Sequence, residues 1–323
     1  MERKPFSYIT VDVFTDRPFG GNPLAVFPEA DGLSDRQMLQ VAREMNLSET
    51  AFVQLPCTPR GDYRLRIFTP AGEIPFAGHP TVGTAWVLAK LGTVHGGAGA
   101  TATVFLEEGV GPVPVRVRFD RQGQPMDGEL AAAQLPETQP LPVDRAALAS
   151  ILGLPESAIA PLESGFEPLG VSCGLPFAVV PLVDGAAIAK IQFNRTAWEE
   201  HLSGTWAPSV YAIAPAEGSI DHPSAQRDRW RVRMFAPALG IAEDPATGSA
   251  ATALGGYLGD RHPQTDGPIH WIVEQGQDIH RPSTLHVAID KTAGQISAIR
   301  VRGAAVLLCE GTMHIPMDDP DLT

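Results

Sequence analysis

The strongest constraint on the fold is an internal repeat. Arg66-Ile-Phe-Thr-Pro70 recurs as Arg233-Met-Phe-Ala-Pro237, and His79-Pro-Thr-Val-Gly-Thr-Ala85 recurs 165 positions later as Asp244-Pro-Ala-Thr-Gly-Ser-Ala250. A weaker echo pairs Asn22-Pro-Leu-Ala-Val26 with Leu175-Pro-Phe-Ala-Val179. Pro, Gly and Ala match easily by chance, but these matches keep one order, and each copy runs into an Ala/Gly/Leu-rich segment, Thr81–Leu91 or Thr247–Leu258. Those segments carry almost no charge on any face, and a helix apolar all round is normally buried. Two pseudo-symmetric domains follow, each a β-sheet rolled around a central buried helix, facing each other across a cleft. The class is α+β.

Length agrees, since 323 residues are enough for two domains with cores of their own. The boundary is expected near the polar, Pro-containing stretch Asp120–Pro142, giving halves 1–128 and 129–323, with the last strand free to cross back to the first half. Alternation marks Tyr63–Phe68, Val113–Phe119 and Trp230–Phe235 as strands, and Gly92–Ala102 reads as a Gly-rich loop. Helical spacing marks Leu33–Met45, Arg145–Leu152 and Ala197–Leu202 as amphipathic surface helices.

Twenty-four basic and 37 acidic residues give a net charge of −13, with no like-charge block. A nucleic-acid or anionic-membrane partner is disfavoured. Cys57, Cys173 and Cys309 are odd in number, widely spaced and outside any zinc-like grouping, so no metal is expected and a reducing cytoplasm fits best. The N-terminus, Met1–Asp12, has no apolar stretch of signal-peptide length and no later run approaches a membrane span, which points to a soluble, unexported chain.

The repeated segment also carries chemistry. A helix starts with unpaired N–H groups and the positive end of its dipole, an anion site worth about 0.3–2 kcal/mol per charge. Gly78-His-Pro-Thr and Pro245-Ala-Thr-Gly-Ser have the composition of such starts, with Pro tolerated in the first turn, Thr and Ser able to cap, and Gly allowing close approach. A substrate with at least one carboxylate is predicted, although two buried helices that merely need caps would show the same pattern. Neither segment is a GxxxxGK[ST] loop and neither start has a Lys, which argues against nucleotides. His79 and Asp244 sit at equivalent repeat positions, where a site role competes with simple capping by Asp244 ahead of Pro245. Glu49, in Asn46-Leu-Ser-Glu-Thr50, falls on a helix-to-strand turn, and pattern alone does not separate it from the other carboxylates.

Arg43-Glu-Met-Asn-Leu-Ser-Glu-Thr-Ala-Phe-Val53, Arg66–Pro70 with Phe76-Ala-Gly-His-Pro80, and Glu243-Asp-Pro-Ala-Thr-Gly-Ser-Ala250 closely resemble the phenazine-biosynthesis PhzF-like isomerases. Gly20–Phe27, Gln275-Gly and Arg281-Pro-Ser283 extend the resemblance over nearly the whole chain. It implies a diaminopimelate-epimerase-like fold and a cofactor-independent isomerase. In the best-understood member, the glutamate of the corresponding motif shuttles a proton during isomerisation of a dihydro-hydroxyanthranilate. The resemblance maps that general acid/base role onto Glu49, with His79 and Asp244 in supporting catalytic roles. The implied substrate-binding set is Asn22, Ser48, Gly78, Thr247, Gly248 and Ser249, the last two for the carboxylate.

Family members commonly form homodimers, so a homodimer is expected by resemblance alone. Related racemases of this fold use two thiols at the helix starts, and neither Phe76–Gly83 nor Glu243–Ala250 contains Cys. A two-thiol epimerase is therefore disfavoured, and a non-catalytic small-carboxylate binder is the main alternative. One departure is His280, where a small residue such as Gly is expected.

Overall fold

The computed structural model describes residues 3–218, 220 and 228–316. It divides into two compact units, Met1–Leu130 with Arg302–Thr323, and Ala131–Val301.

In the first unit, β1 (Arg3–Val13) pairs antiparallel with β2 (Asn22–Phe27), and on its other edge with the chain's last strand from Arg3↔Pro316 to Val13↔Ala305. Helix α1 (Asp35–Met45) crosses over to β3 (Glu49–Gln54), parallel to β2. Its start is fixed by a capping box between Ser34 and Gln37 and its end by Asn46 in the left-handed conformation. The buried Met38, Val41 and Ala42 pack it onto Phe27, Phe52 and Phe68, whose rings stack at 5.1 Å and meet edge-on at 5.6 Å.

Strand β4 (Tyr63–Phe68) returns antiparallel to β3. Short β5 (Glu73–Ile74) and helix α2 (Gly78–Lys90) then lead to β6 (Thr101–Glu108), parallel to β4. Antiparallel β7 (Gly111–Phe119) and β8 (Pro125–Ala131) follow.

Every residue of α2 from Gly78 to Ala89 is buried, and the helix touches β1, β2, β3, β6 and β7, so the sheet wraps it. Gly83 permits this approach. A Cβ there would lie 2.6 Å from Val13 and 2.7 Å from Leu24.

The second unit contains β9 (Glu137–Gln139), α3 (Arg145–Leu152), β10 (Leu169–Ser172), β11 (Pro176–Pro181), α4 (Gly185–Ala189), α5 (Arg195–His201), β12 (Ser209–Pro215) and β13 (Arg229–Ala236). It continues through β14 (Ile241–Asp244), α6 (Gly248–Arg261), β15 (Gly267–Gln275), β16 (Ser283–Thr292) and the start of β17 (Gln295–Pro316). Its pairing repeats that of the first unit. β10 and β11 are antiparallel, β11 and β12 parallel across a helical crossover, and β12 and β13 antiparallel. β13 and β15 are parallel across β14 and α6, and β15 and β16 are antiparallel.

Two of the sequence matches fall on equivalent elements, β2 with β11 and β4 with β13, whereas in the third His79–Ala85 lies wholly within α2 and Asp244–Ala250 runs from the end of β14 through a loop into the start of α6. Helix α6 is buried from Ala250 to Gly259 and packs on β10, β11, β15 and β16.

Several local expectations change. The stretch read as a Gly-rich loop already enters β6 at Thr101. The Asp120–Pro142 segment holds β8 and β9, while the contact division falls at Leu130/Ala131. Gly185–Ala189 forms α4, capped by the Asp184 carboxylate on the Ala187 amide. His280 adopts a left-handed backbone with φ 59°, the conformation in which Gly costs least and a Cβ adds strain.

Candidate active site

Glu49 opens β3 rather than standing in a turn, opposite Leu24 of β2, and it is only 9% exposed. Burial comes from α2, whose second residue, His79, places Nε2 3.4 Å from Glu49 Oε2. Glu49 Oε2 is shut off from water and has no hydrogen-bond partner among the described residues. Desolvation holds the Glu49 carboxyl above the usual carboxylate range, opposed by a hydrogen bond with the Ser48 side chain. Ser48 Oγ also lies 3.3 Å from Oδ1 of Asn22, which starts β2 and is fully buried. Asn22, Ser48, Glu49, Gly78 and His79 thus all belong to the first unit, on the starts of β2, β3 and α2.

The second cluster surrounds the start of α6. Asp244 ends β14 and is buried, and its Oδ2 accepts a short hydrogen bond from Thr247 Oγ1. Gln275, fully buried at the end of β15, donates from Nε2 to the Asp244 carbonyl at 2.7 Å and to Thr247 Oγ1 at 3.0 Å. Its Oε1 accepts the Thr247 amide at 3.3 Å. Gly276 has φ 79°, and a Cβ there would lie 2.3 Å from the Arg281 carbonyl oxygen and 2.7 Å from that of Pro245. The Gln275-Gly and Arg281 motifs therefore buttress the loop that carries Asp244. Gly248 and Ser249 form the first turn of α6.

The expectation that Thr or Ser would cap these helices is corrected. Ala77 precedes α2 and has no capping atom, while the hydroxyl of Thr247, which precedes α6, is spent on Asp244. Neither residue that precedes these helices caps its helix with its own side chain, and the positive end of each dipole lies at Gly78 and at Gly248.

Sequence reasoning missed a pair of clamps built on the buried Arg66 and Arg233. Arg66 grips Glu73 through Nε at 2.7 Å and Nη2 at 2.5 Å, and Arg233 grips Glu243 through Nε at 2.8 Å and Nη2 at 2.6 Å. Each guanidinium also lies over the Phe two residues on, Phe68 at 5.3 Å and Phe235 at 5.1 Å. The repeat flags both arginines and both phenylalanines. The clamps tie β4 to β5 and β13 to β14, the strand that ends in Asp244.

Among the described residues, no group of three or more His, Cys, Asp or Glu is placed to hold a metal ion, and no helix is long and apolar enough to cross a membrane. Cys57 and Cys309 are exposed and Cys173 is buried.

Comparison with known proteins gives this arrangement a context. Residues 11–311 match the family model for phenazine biosynthesis-like proteins, PhzC-PhzF. An uncharacterized isomerase of Mesorhizobium japonicum is 39% identical, with 96% of this chain and 99% of that protein aligned. The trans-2,3-dihydro-3-hydroxyanthranilate isomerase of Pseudomonas chlororaphis is 36% identical over 95% of this chain and 98% of its own. A Bacillus anthracis phenazine biosynthesis protein of the PhzF family superposes with a TM-score of 0.83 at 25% identity, covering 96% and 99% of the two chains. The chain belongs to the phenazine biosynthesis-like PhzF family and is an isomerase of that type.

Proposed function

We propose that the enzyme moves a proton on a small carboxylate-bearing substrate, with Glu49 as the single general acid/base and without a cofactor. The observation that carries this reading is the buried Glu49 carboxyl with an unpartnered oxygen 3.4 Å from His79. Structural carboxylates are normally paired or hydrated, because burying a polar group without a partner costs about 1–3 kcal/mol. An unsatisfied one is available to take a proton from substrate. Its raised pKa brings the acid and base forms closer in energy near neutrality, so one group can remove a proton and return it elsewhere.

His79 orients or relays from the α2 side, and Asp244, held by Thr247 and Gln275, plays a supporting part. Gly248 and Ser249 at the uncapped start of α6 hold the substrate carboxylate, and Asn22, Ser48, Gly78 and Thr247 complete the binding set. The Pseudomonas relative's name supplies the first compound to try, trans-2,3-dihydro-3-hydroxyanthranilate.

The test compares this acid and related cyclic enol or amino-acid-like carboxylates with their methyl esters, monitoring isomerisation and binding. The acids are expected to turn over and the esters to bind at least about fivefold more weakly, since a lost charge–dipole contact is worth about 1 kcal/mol or more. Equal handling of acid and ester contradicts the carboxylate site. Tight binding with no turnover of any member contradicts the enzyme reading in favour of a binder.

A further inference from the structure

Glu108 ends β6 in the first unit and reaches the first turn of α2. Thr81 Oγ1 lies 2.7 Å from the Ala77 carbonyl oxygen and 2.7 Å from Glu108 Oε1. A hydroxyl has one proton to donate. Were Glu108 ionised, Thr81 would satisfy one neighbour and press its lone pairs against the other at 2.7 Å. The second carboxylate oxygen, Oε2, would also be a buried charge-bearing atom with no donor. As a carboxylic acid, Glu108 donates to Thr81, Thr81 donates to Ala77, and every proton is placed. Within this Glu108–Thr81–Ala77 relay, a neutral carboxyl oxygen of Glu108 is then the one left without a partner.

The surroundings agree. Glu108 is 8% exposed and forms no ion pair among the described residues, and burial pushes its carboxyl up to about 8. A groove of about 330 Å³ is lined by Glu108 together with the charged groups Arg64, Arg66, Glu73 and Glu107. Arg66 is committed to Glu73 and Asp35. Glu107 accepts the amides of Cys57 and Thr58 and is attracted to Arg64. On the helix side, the titratable neighbour is His79, two residues before Thr81.

We infer that Glu108 is a positioning residue that acts as a neutral acid, locking the Ala77 carbonyl through Thr81 and so fixing Gly78 and His79 at the start of α2. The inference rests on the reading of Glu49 and His79 as the reactive pair. Ionisation of Glu108 draws the Thr81 proton away from Ala77, leaving that carbonyl with the Thr81 amide at 3.2 Å and loosening the turn that carries His79.

The test uses full-length protein with carboxyl-¹³C glutamate and ¹⁵N histidine. The NMR signal absent in Glu108→Gln is expected to titrate with a midpoint of about 8, and a midpoint in the ordinary acid range overturns the inference. The His79 ring signals are expected to shift at the same midpoint in the wild type, and this alkaline step is expected to vanish in Glu108→Gln and in Thr81→Val. Its survival in either variant overturns the inference. These measurements need no substrate and are expected to persist in Glu49→Gln, so failure of the Glu49 reading leaves a separate signature.

With trans-2,3-dihydro-3-hydroxyanthranilate as probe, Glu108→Ala and Thr81→Val are each expected to lose roughly tenfold in kcat with little change in KM, as for misplaced catalytic groups. The double variant is expected to be no worse than either single one. The Gln amide can donate to Thr81, so Glu108→Gln is expected to keep kcat near wild type while lacking the alkaline step in the His79 signals. Additive losses, or a Gln variant as impaired as Ala, contradict the Thr81 link.

Discussion

The starts of α2 and α6 hold equivalent places in two units of one topology, yet their polar groups are in opposite states. Around α6, Asp244, Thr247 and Gln275 satisfy one another through four hydrogen bonds. Around α2, Glu49 and Glu108 are both buried, both shifted upward, and each has an oxygen without a hydrogen-bond partner. The contrast teaches how one scaffold divides labour. Around α6 a closed network of paired groups holds a loop and a helix start in place, whereas around α2 burial without a partner favours the protonated form of both carboxyls. The two arginine clamps are what both units keep in common beneath that difference.

The clamps give the largest expected effect on stability. Glu243 is 11% exposed in its side chain and Glu73 is 41% exposed. Removing one partner of a buried pair costs about 3–5 kcal/mol, so Arg233→Ala is expected to destabilise by that much in urea unfolding. Arg66→Ala is expected to cost less, because water can reach Glu73. Equal losses would break the distinction. Gln275→Ala comes next, at about 1–3 kcal/mol, because it leaves the Asp244 carbonyl and Thr247 amide without their buried partner.

The α2 cluster predicts a pH dependence of definite sign. Folded-state values above the ordinary 4.5 mean that the folded protein keeps protons which the unfolded chain has released. That contribution is fully present below pH about 4.5 and is lost as pH rises through the Glu108 value of about 8. Unfolding free energy is expected to fall in that window by about 1 kcal/mol per pH unit. The slope is expected to flatten in a Glu49→Gln/Glu108→Gln double variant, and an unchanged slope would mean that these carboxyls are not the cause. The smallest effect concerns thiols. Alkylation is expected to modify the exposed Cys57 and Cys309, spare Cys173, whose buried thiol is pushed up to about 12, and leave turnover intact.

Much of this was legible in the sequence. The repeat located β2, β4 and α2 with their counterparts β11, β13 and α6, because buried helices and short strands leave local patterns in Gly, Ala and alternating residues. The clamps were not, because Glu73 follows Arg66 by seven positions and Glu243 follows Arg233 by ten, so the partners fall out of alignment. Nor was the burial of Glu49, which depends on a helix about thirty residues further on, and family resemblance rather than pattern singled it out. Glu108 escaped for the same reason, as its partner Thr81 lies 27 positions earlier. His280 was flagged as odd, and its left-handed backbone supplies the reason.

The most direct test of the division of labour is Glu49→Gln, which keeps shape and removes the titrating proton. Isomerisation of trans-2,3-dihydro-3-hydroxyanthranilate, or of whichever carboxylate the wild type turns over, is expected to fall by at least about 10²–10⁴-fold. Binding of the same compound by calorimetry and the unfolding midpoint are expected to stay near or above wild type. Turnover within a few-fold of wild type would contradict Glu49 as the proton carrier.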